Sequence, residues 1–252
     1  MAAPKSTSLF HFTKSLDVLE SILLNGFYPR LSAEDVSWIG NKEASLIDFV
    51  VFPMVCFCDI PLGRIADHVD FYGEYGIGMS KDWALKNGLN PVFYLSSSAA
   101  VAESFVTAIK ASVCTTKEKE EKDDSATDHL HFMWAHSKPL SGRMVIGDKP
   151  VTKDFYLENE WRYIPNLAGF RRGFQVKLYR NEEWRQAKNS QLQVEAALRF
   201  TPSDIHYLFV PCDADIPLLV DFINSQLAGF SLSDLKILLT RITSLEHIRK
   251  DL

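Results

Sequence analysis

No run of apolar residues in this 252-residue chain approaches the ~20 that a helical membrane span needs, and no charged-then-apolar leader opens it. A cytoplasmic protein with no membrane partner is expected. Cysteine is scarce: Cys56, Cys58, Cys114 and Cys212 include one C-x-C pair, with no C-x-x-C or His pair following at zinc spacing. Buried free thiols are expected, and no metal. Basic charge is not in excess, since 27 Lys and Arg stand against 32 Asp and Glu for a net charge of -5. That balance argues against nonspecific coating of nucleic acid and leaves room for a local basic groove. No G-x-G-x-x-G follows a strand, because the glycines of "YGEYGIGMS" begin ahead of the apparent strand. A Rossmann site is therefore excluded, and Gly76 and Gly78 are expected to let another backbone or a ligand approach closely. The chain has no internal repeat.

What is present is 46% hydrophobic content with 12% aromatic, ample for the core of one domain over residues 1–252. Two stretches organise it. In Leu9-Phe10-His11-Phe12-Thr13, His11 and Thr13 share one face of a strand and Phe10 and Phe12 the other. A helix with Leu16, Leu19, Ile22 and Leu23 at helical spacing follows, closed by Gly26. In Leu157 to Tyr163, read as one strand, Glu158, Glu160 and Arg162 share a face, and Leu157, Asn159, Trp161 and Tyr163 share the other. Two carboxylates and a guanidinium in a row suit either a cleft lining or a solvated strand face with an internal ion pair.

Between these stretches, Leu31 to Asp48 reads as an irregular surface loop, "FVVFPMVCFCDI" as a buried strand entered through Pro53, and Pro61 to Tyr72 as a helix with His68 off its apolar stripe, at a cleft or in water. Residues 115–128, "TTKEKEEKDDSATD", lack any large apolar side chain and read as a solvated helix extension or a mobile charged insertion. His129, His131 and His136 surround Trp134 without a third ligand at a helical step, which favours packing over a metal. "GFQVKLY", Leu198 to Thr201, Ile205 to Val210 and Leu235 to Thr240 read as strands. A helix runs from Asp215 to Leu227, and Thr243 with Glu246 forms a capping box for a terminal helix. Arg171, Arg172, Arg180 and Arg185 form the best basic patch available for an acidic acceptor, and fit ordinary surface pairing to Glu182 and Glu183 equally well.

The segments "LFHFTKSLDVLESILLNGFYP", "MVCFCDIP" and "ENEWR", in that order, resemble the ADP-ribosyltransferase superfamily, in particular the DarT type of DNA-modifying toxin. Longer segments, including "YGEYGIGMSKDWALKNGLNPVFYL" and "TRITSLEHIRKDL", resemble the AbiGi family of phage abortive-infection proteins and cover most of the chain. The first resemblance implies an α+β fold of split antiparallel sheets with flanking helices, in which the strands of His11, Phe57 and Glu160 lie adjacent around one cleft. It also implies a mono-ADP-ribosyltransferase toxin that consumes NAD, has a cognate antitoxin protein and modifies nucleic acid, RNA or DNA. Glu160, with Glu158 second, would be the catalytic carboxylate beneath the ribose as it gains positive charge. His11 and Thr13 would hold the adenosine-side ribose, and Arg162 would pair with the pyrophosphate or fix Glu160. The nicotinamide ring would stack on Phe57, which stands where the superfamily has Tyr, or on Tyr72 or Tyr75. Arg171 and Arg172 would meet the nucleic acid. The AbiGi resemblance carries the competing reading, a catalytically inactive antitoxin or binding partner with the same fold. An NAD hydrolase would share the same residues.

Overall fold

Leu9 and His11 alternate with Phe10 and Phe12 along β1 (Ser8–Thr13), so the strand needs cover on both sides. The computed structural model describes residues 6–39, 49–96, 125–146, 149–167, 170 and 173–251, with isolated positions between 100 and 108. α1 (Leu16–Asn25) buries Leu19, Ile22 and Leu23 against one side. It stops at Gly26, whose φ of 77° and closeness to the Leu198 carbonyl, 2.4 Å from where a Cβ would sit, leave room only for glycine.

β2 (Arg30–Asp35) and β3 (Phe49–Cys58) come next, paired antiparallel from Arg30↔Met54 to Asp35↔Phe49. The loop expected over Leu31 to Asp48 is therefore a strand for its first part, and residues 40–48 lie outside the described residues. α2 (Ile65–Tyr72), β4 (Tyr75–Ser80), α3 (Lys81–Lys86), β5 (Asn90–Pro91) and β6 (Phe93–Leu95) follow. After them come α4 (Ser125–Ala135), β7 (Ser137–Pro139), β8 (Ser141–Ile146), β9 (Lys149–Asp154), β10 (Glu160–Tyr163) and β11 (Phe174–Gln175). The chain ends with α5 (Val176–Tyr179), α6 (Glu182–Glu195), β12 (Ile205–Val210), α7 (Ile216–Gln226), α8 (Leu232–Leu239), β13 (Ile242–Ser244) and α9 (Leu245–Asp251).

One sheet runs β13-β12-β4-β1-β3-β10-β5, antiparallel except between β12 and β13, with β2 and β11 also pairing β3. Long β3 makes this branching possible: residues 49–54 carry β2 and β11, and residues 55–58 carry β10 and touch β1. The ladder between β1 and β3 has one register pair, Phe10↔Cys58. The β6–β7 pair and the β8–β9 hairpin lie off this sheet.

Register assigns the faces. Leu9, His11, Val55, Phe57, Ile77, Trp161 and Leu208 point to one side, under α1, α3, α7 and α8. Phe10, Phe12, Cys56, Cys58, Glu160, Arg162 and Phe209 point to the other, where α2 and α9 cover the aromatic part. Gly76 and Gly78 lie on that second face. A Cβ at Gly76 would stand 2.5 Å from the Phe12 ring, and one at Gly78 3.0 Å from Tyr207, so the close approach is made by aromatic rings.

Several expected strands differ. "GFQVKLY" is extended only at Phe174–Gln175 before turning helical, and Leu198 makes a single bridge to Phe27. Leu235 to Thr240 lies mostly in α8, because Ser231 caps that helix by accepting the Asp234 N–H at 3.2 Å and Leu235 and Leu238 bury at helical spacing. Thr243 sits in β13, so the helix after it takes its cap from Ser244, whose hydroxyl accepts the His247 N–H at 3.4 Å.

Candidate functional site

β10 alternates buried Glu160 and Arg162 with half-buried Trp161 and Tyr163. Arg162 is the largest fully buried side chain, 1% exposed, so each of its donors needs an acceptor. Nε donates to Glu160 Oε1 at 2.7 Å, Nη1 to the Ala135 carbonyl at 2.7 Å, and Nη2 to Glu34 Oε2 at 2.9 Å and Glu160 Oε2 at 3.3 Å. The Glu160 N–H donates to the Tyr94 hydroxyl at 2.8 Å.

From Glu160 the charges continue in alternation. Lys138 Nζ donates to Glu160 Oε2 at 2.8 Å and to Glu158 Oε2 at 3.2 Å, and sits 4.4 Å from the centre of the Phe155 ring. Glu158 also accepts the Tyr72 hydroxyl at 2.5 Å and lies 2.6 Å from Lys153 Nζ. The result is a chain Glu34, Arg162, Glu160, Lys138, Glu158, Lys153, three carboxylates and three cations, linking β2, β10, β7, the turn before β10, and β9. Burial alone would raise the Glu160 carboxyl, but the Arg162 guanidinium and Lys138 ammonium hold it well below the carboxylate range. Glu158 is lowered in the same way, burial being offset by Lys138. Lys138 is held charged by Glu160 and Glu158 against its own burial, and Tyr72 is kept protonated by burial and by Glu158.

The two thiols of the C-x-C share this face. Burial, and then Glu160 for Cys56 and Glu158 for Cys58, push both well above the usual thiol range, so they stay protonated. Among the described residues no group of three or more His, Cys, Asp or Glu side chains could hold a metal ion, and no helix is long and apolar enough to cross a membrane.

Of the residues singled out from sequence, Glu158, Glu160, Arg162 and Tyr72 come together. Glu158 does so by another route than expected: Phe155–Glu158 is a 3-10 turn and Asn159 takes a left-handed φ of 43°, so the strand begins only at Glu160. His11, Thr13, Phe57 and Tyr75 lie on the opposite face of the sheet. His11 packs edge-on to Phe27 at 5.3 Å and near Phe57 at 5.5 Å, and its Nδ1–H donates to the Cys56 carbonyl of β3 at 2.8 Å. Burial lowers its pKa, so it is neutral. Phe57 is 2% exposed, inside a cluster with Phe27 and Trp83, and offers no open ring. Tyr75, paired with Thr13, has its hydroxyl raised by burial and by Asp215. The single cleft expected to hold His11 and Glu160 together is not formed.

His68, for which a cleft and water were both open, is packed: its ring stacks on Tyr72 at 4.5 Å and meets Phe12 at 5.7 Å, and burial pushes its pKa down to about 4. Arg171 and Arg172 lie outside the described residues. So does most of the 115–128 insertion, whose last positions, Ser125 to Asp128, open α4. Glu34, Tyr94, Lys138 and Lys153 were not singled out from sequence. The signal for the lysines was the charge surplus of Glu158 and Glu160 over Arg162, which a buried site has to balance.

The family model described as "Putative abortive phage resistance protein AbiGi, antitoxin" matches residues 25–211. This span holds the whole ion chain and begins after His11. The protein named "Abortive phage resistance protein AbiGi" from Lactococcus lactis subsp. cremoris is 29% identical over 248 residues, covering 89% of this chain and 99% of that relative. No solved structure matches. With three quarters of its length inside the family model, the chain belongs to the AbiGi family of abortive phage resistance proteins.

Proposed function

We propose that the chain is the antitoxin-type component of an abortive-infection system and acts by binding a partner protein, without turnover. The observation that carries this reading is the division of the expected site across the sheet. The carboxylates that would act on ribose are tied up in buried ion pairs on one face, and the His that would hold the cofactor is packed into the aromatic core of the other. The antitoxin description of the family supports it. Expression of wild type and Glu160→Gln at equal protein levels tests it. Both strains grow like the empty-vector control if the chain is an antitoxin, and arrest by wild type alone overturns it.

A second reading keeps the ADP-ribosyltransferase core: an NAD-consuming toxin that modifies nucleic acid and is restrained by its own antitoxin. It is favoured by one observation, that the strands bearing His11, Phe57 and Glu160 are neighbours in the order β1-β3-β10. Glu160 would be its catalytic group and Glu158 the second carboxylate. Labelled NAD incubated with the purified protein and, separately, RNA, DNA or lysate protein decides between the readings. Label transferred by wild type and lost in Glu160→Gln establishes the transferase.

A further inference from the structure

We propose that Lys138 is a positioning residue that keeps Glu158 and Glu160 ionised side by side, so that its ammonium decides whether this pair is a closed ion chain or an acid and a base. The inference holds under either functional reading, since it concerns the state of the two carboxylates.

Two features carry it. The first is geometry: Lys138 is the cation shared by both carboxylates, at 2.8 and 3.2 Å. Arg162 cannot take its place, because its Nε and Nη2 are on Glu160, Nη2 also on Glu34, and Nη1 on the Ala135 carbonyl. Lys153 reaches Glu158 from the far end of the chain, and among the described residues forms no ion pair with Glu160. The second is the inventory of groups facing the pair. β2 supplies Glu34, β3 Cys56 and Cys58, α2 His68 and Tyr72, β6 Tyr94, β7 Lys138, β9 Lys153, and β10 Arg162. His136, the residue before β7, is neutral through burial, as is His68. Cys56, Cys58, Tyr72 and Tyr94 stay protonated. With Lys138 neutralised, Glu34, Glu158 and Glu160 would face only Arg162 and Lys153. Two adjacent buried carboxylates with one cation too few hold a proton between them. One is then an acid and the other a base, the division that acid-base chemistry uses.

The test labels the glutamate side-chain carboxyls with carbon-13 and follows them by NMR against pH in wild type, Lys138→Met, Lys138→Arg and the double variant Lys138→Met/Glu158→Gln. In Lys138→Met one carboxyl midpoint should rise by roughly one to three pH units, and Lys138→Arg should return it towards wild type. The double variant has one carboxylate fewer to balance and should show no raised midpoint. If both carboxyls of Lys138→Met stay ionised wherever they do in wild type, the proposal is wrong. Should Lys138→Met fail to fold, the double variant decides: cooperative folding of the double supports the charge argument, and its failure shows that Lys138 acts through packing and overturns the proposal.

Discussion

The His11 imidazole and the Glu160 carboxylate leave the same sheet on opposite sides. β1 and β10 both pair with β3, and Phe10, Cys58 and Glu160 are in register, so His11 aligns with the face of Phe57 and Trp161. Neighbouring strands therefore serve two separate interiors, one holding His11 among aromatic rings and the other the ion chain beside the Phe10 and Phe12 cluster, each with its own test.

On the aromatic side, His11→Ala removes a ring packed between Phe27 and Phe57 together with the bond to the Cys56 carbonyl. A loss of about 2 to 4 kcal/mol in urea unfolding is expected. Because the ring does not touch the ion chain, the Glu158 and Glu160 carboxyl titrations should be unchanged. A shift in either would show that the two faces are coupled.

Acid stability follows from the signs of the shifts. Glu158 and Glu160 have folded pKa values below their unfolded ones, so their stabilisation is complete above about pH 4.5 and is lost as pH falls through the folded values. His68 acts in a higher window. Its folded pKa of about 4 lies below the ordinary 6.5, so between these values the unfolded chain binds the extra proton and stability drops as pH falls. The largest loss from His68 is about 3 kcal/mol. Denaturant midpoints taken from pH 7 to pH 4 should fall steadily, and His68→Gln should flatten the upper part of that slope.

The first strand, the helix after it and its glycine stop were legible because alternation and helical spacing are local signals, and β1, α1 and Gly26 follow them. The Glu158, Glu160, Arg162 triplet was legible in composition and misread in shape. An E-x-E-x-R pattern has the period of a strand, and nothing local announces that Asn159 takes a left-handed turn between the two carboxylates. A short apolar run such as Leu235 to Thr240 fits strand and helix alike, and the Ser231 cap settles it. Lys138 and Lys153 were invisible because their partners are fixed by tertiary contact, with β7 and β9 lying off the main sheet.

Gly73 joins α2 to β4 with φ of 119°, and a Cβ there would stand 2.2 Å from the Thr13 carbonyl oxygen. Both the dihedral and the contact exclude a side chain. Gly73→Ala should cost roughly 2 kcal/mol or more, seen as a lower thermal midpoint. Gly229→Ala, where a Cβ would meet nothing within 4 Å, is the control and should change stability little.

The ion chain makes a last prediction that separates a pair which stabilises from one which is merely expensive to break. Arg162→Met leaves buried Glu160 without its guanidinium and half-buried Glu34 without its partner. Removal of one member of such a pair typically costs about 3 to 5 kcal/mol, mostly the penalty of the stranded charge. Glu160→Gln strands Arg162 and part of Lys138 instead, and should also destabilise. The double variant Arg162→Met/Glu160→Gln removes the pair and with it the stranded charge. Its loss should be smaller than the sum of the two single losses by about 1 to 3 kcal/mol. Urea unfolding of the four proteins measures this coupling directly. Additive losses would mean that Arg162 is held by the Ala135 carbonyl and Glu34 alone, and that Glu160 is free to act elsewhere.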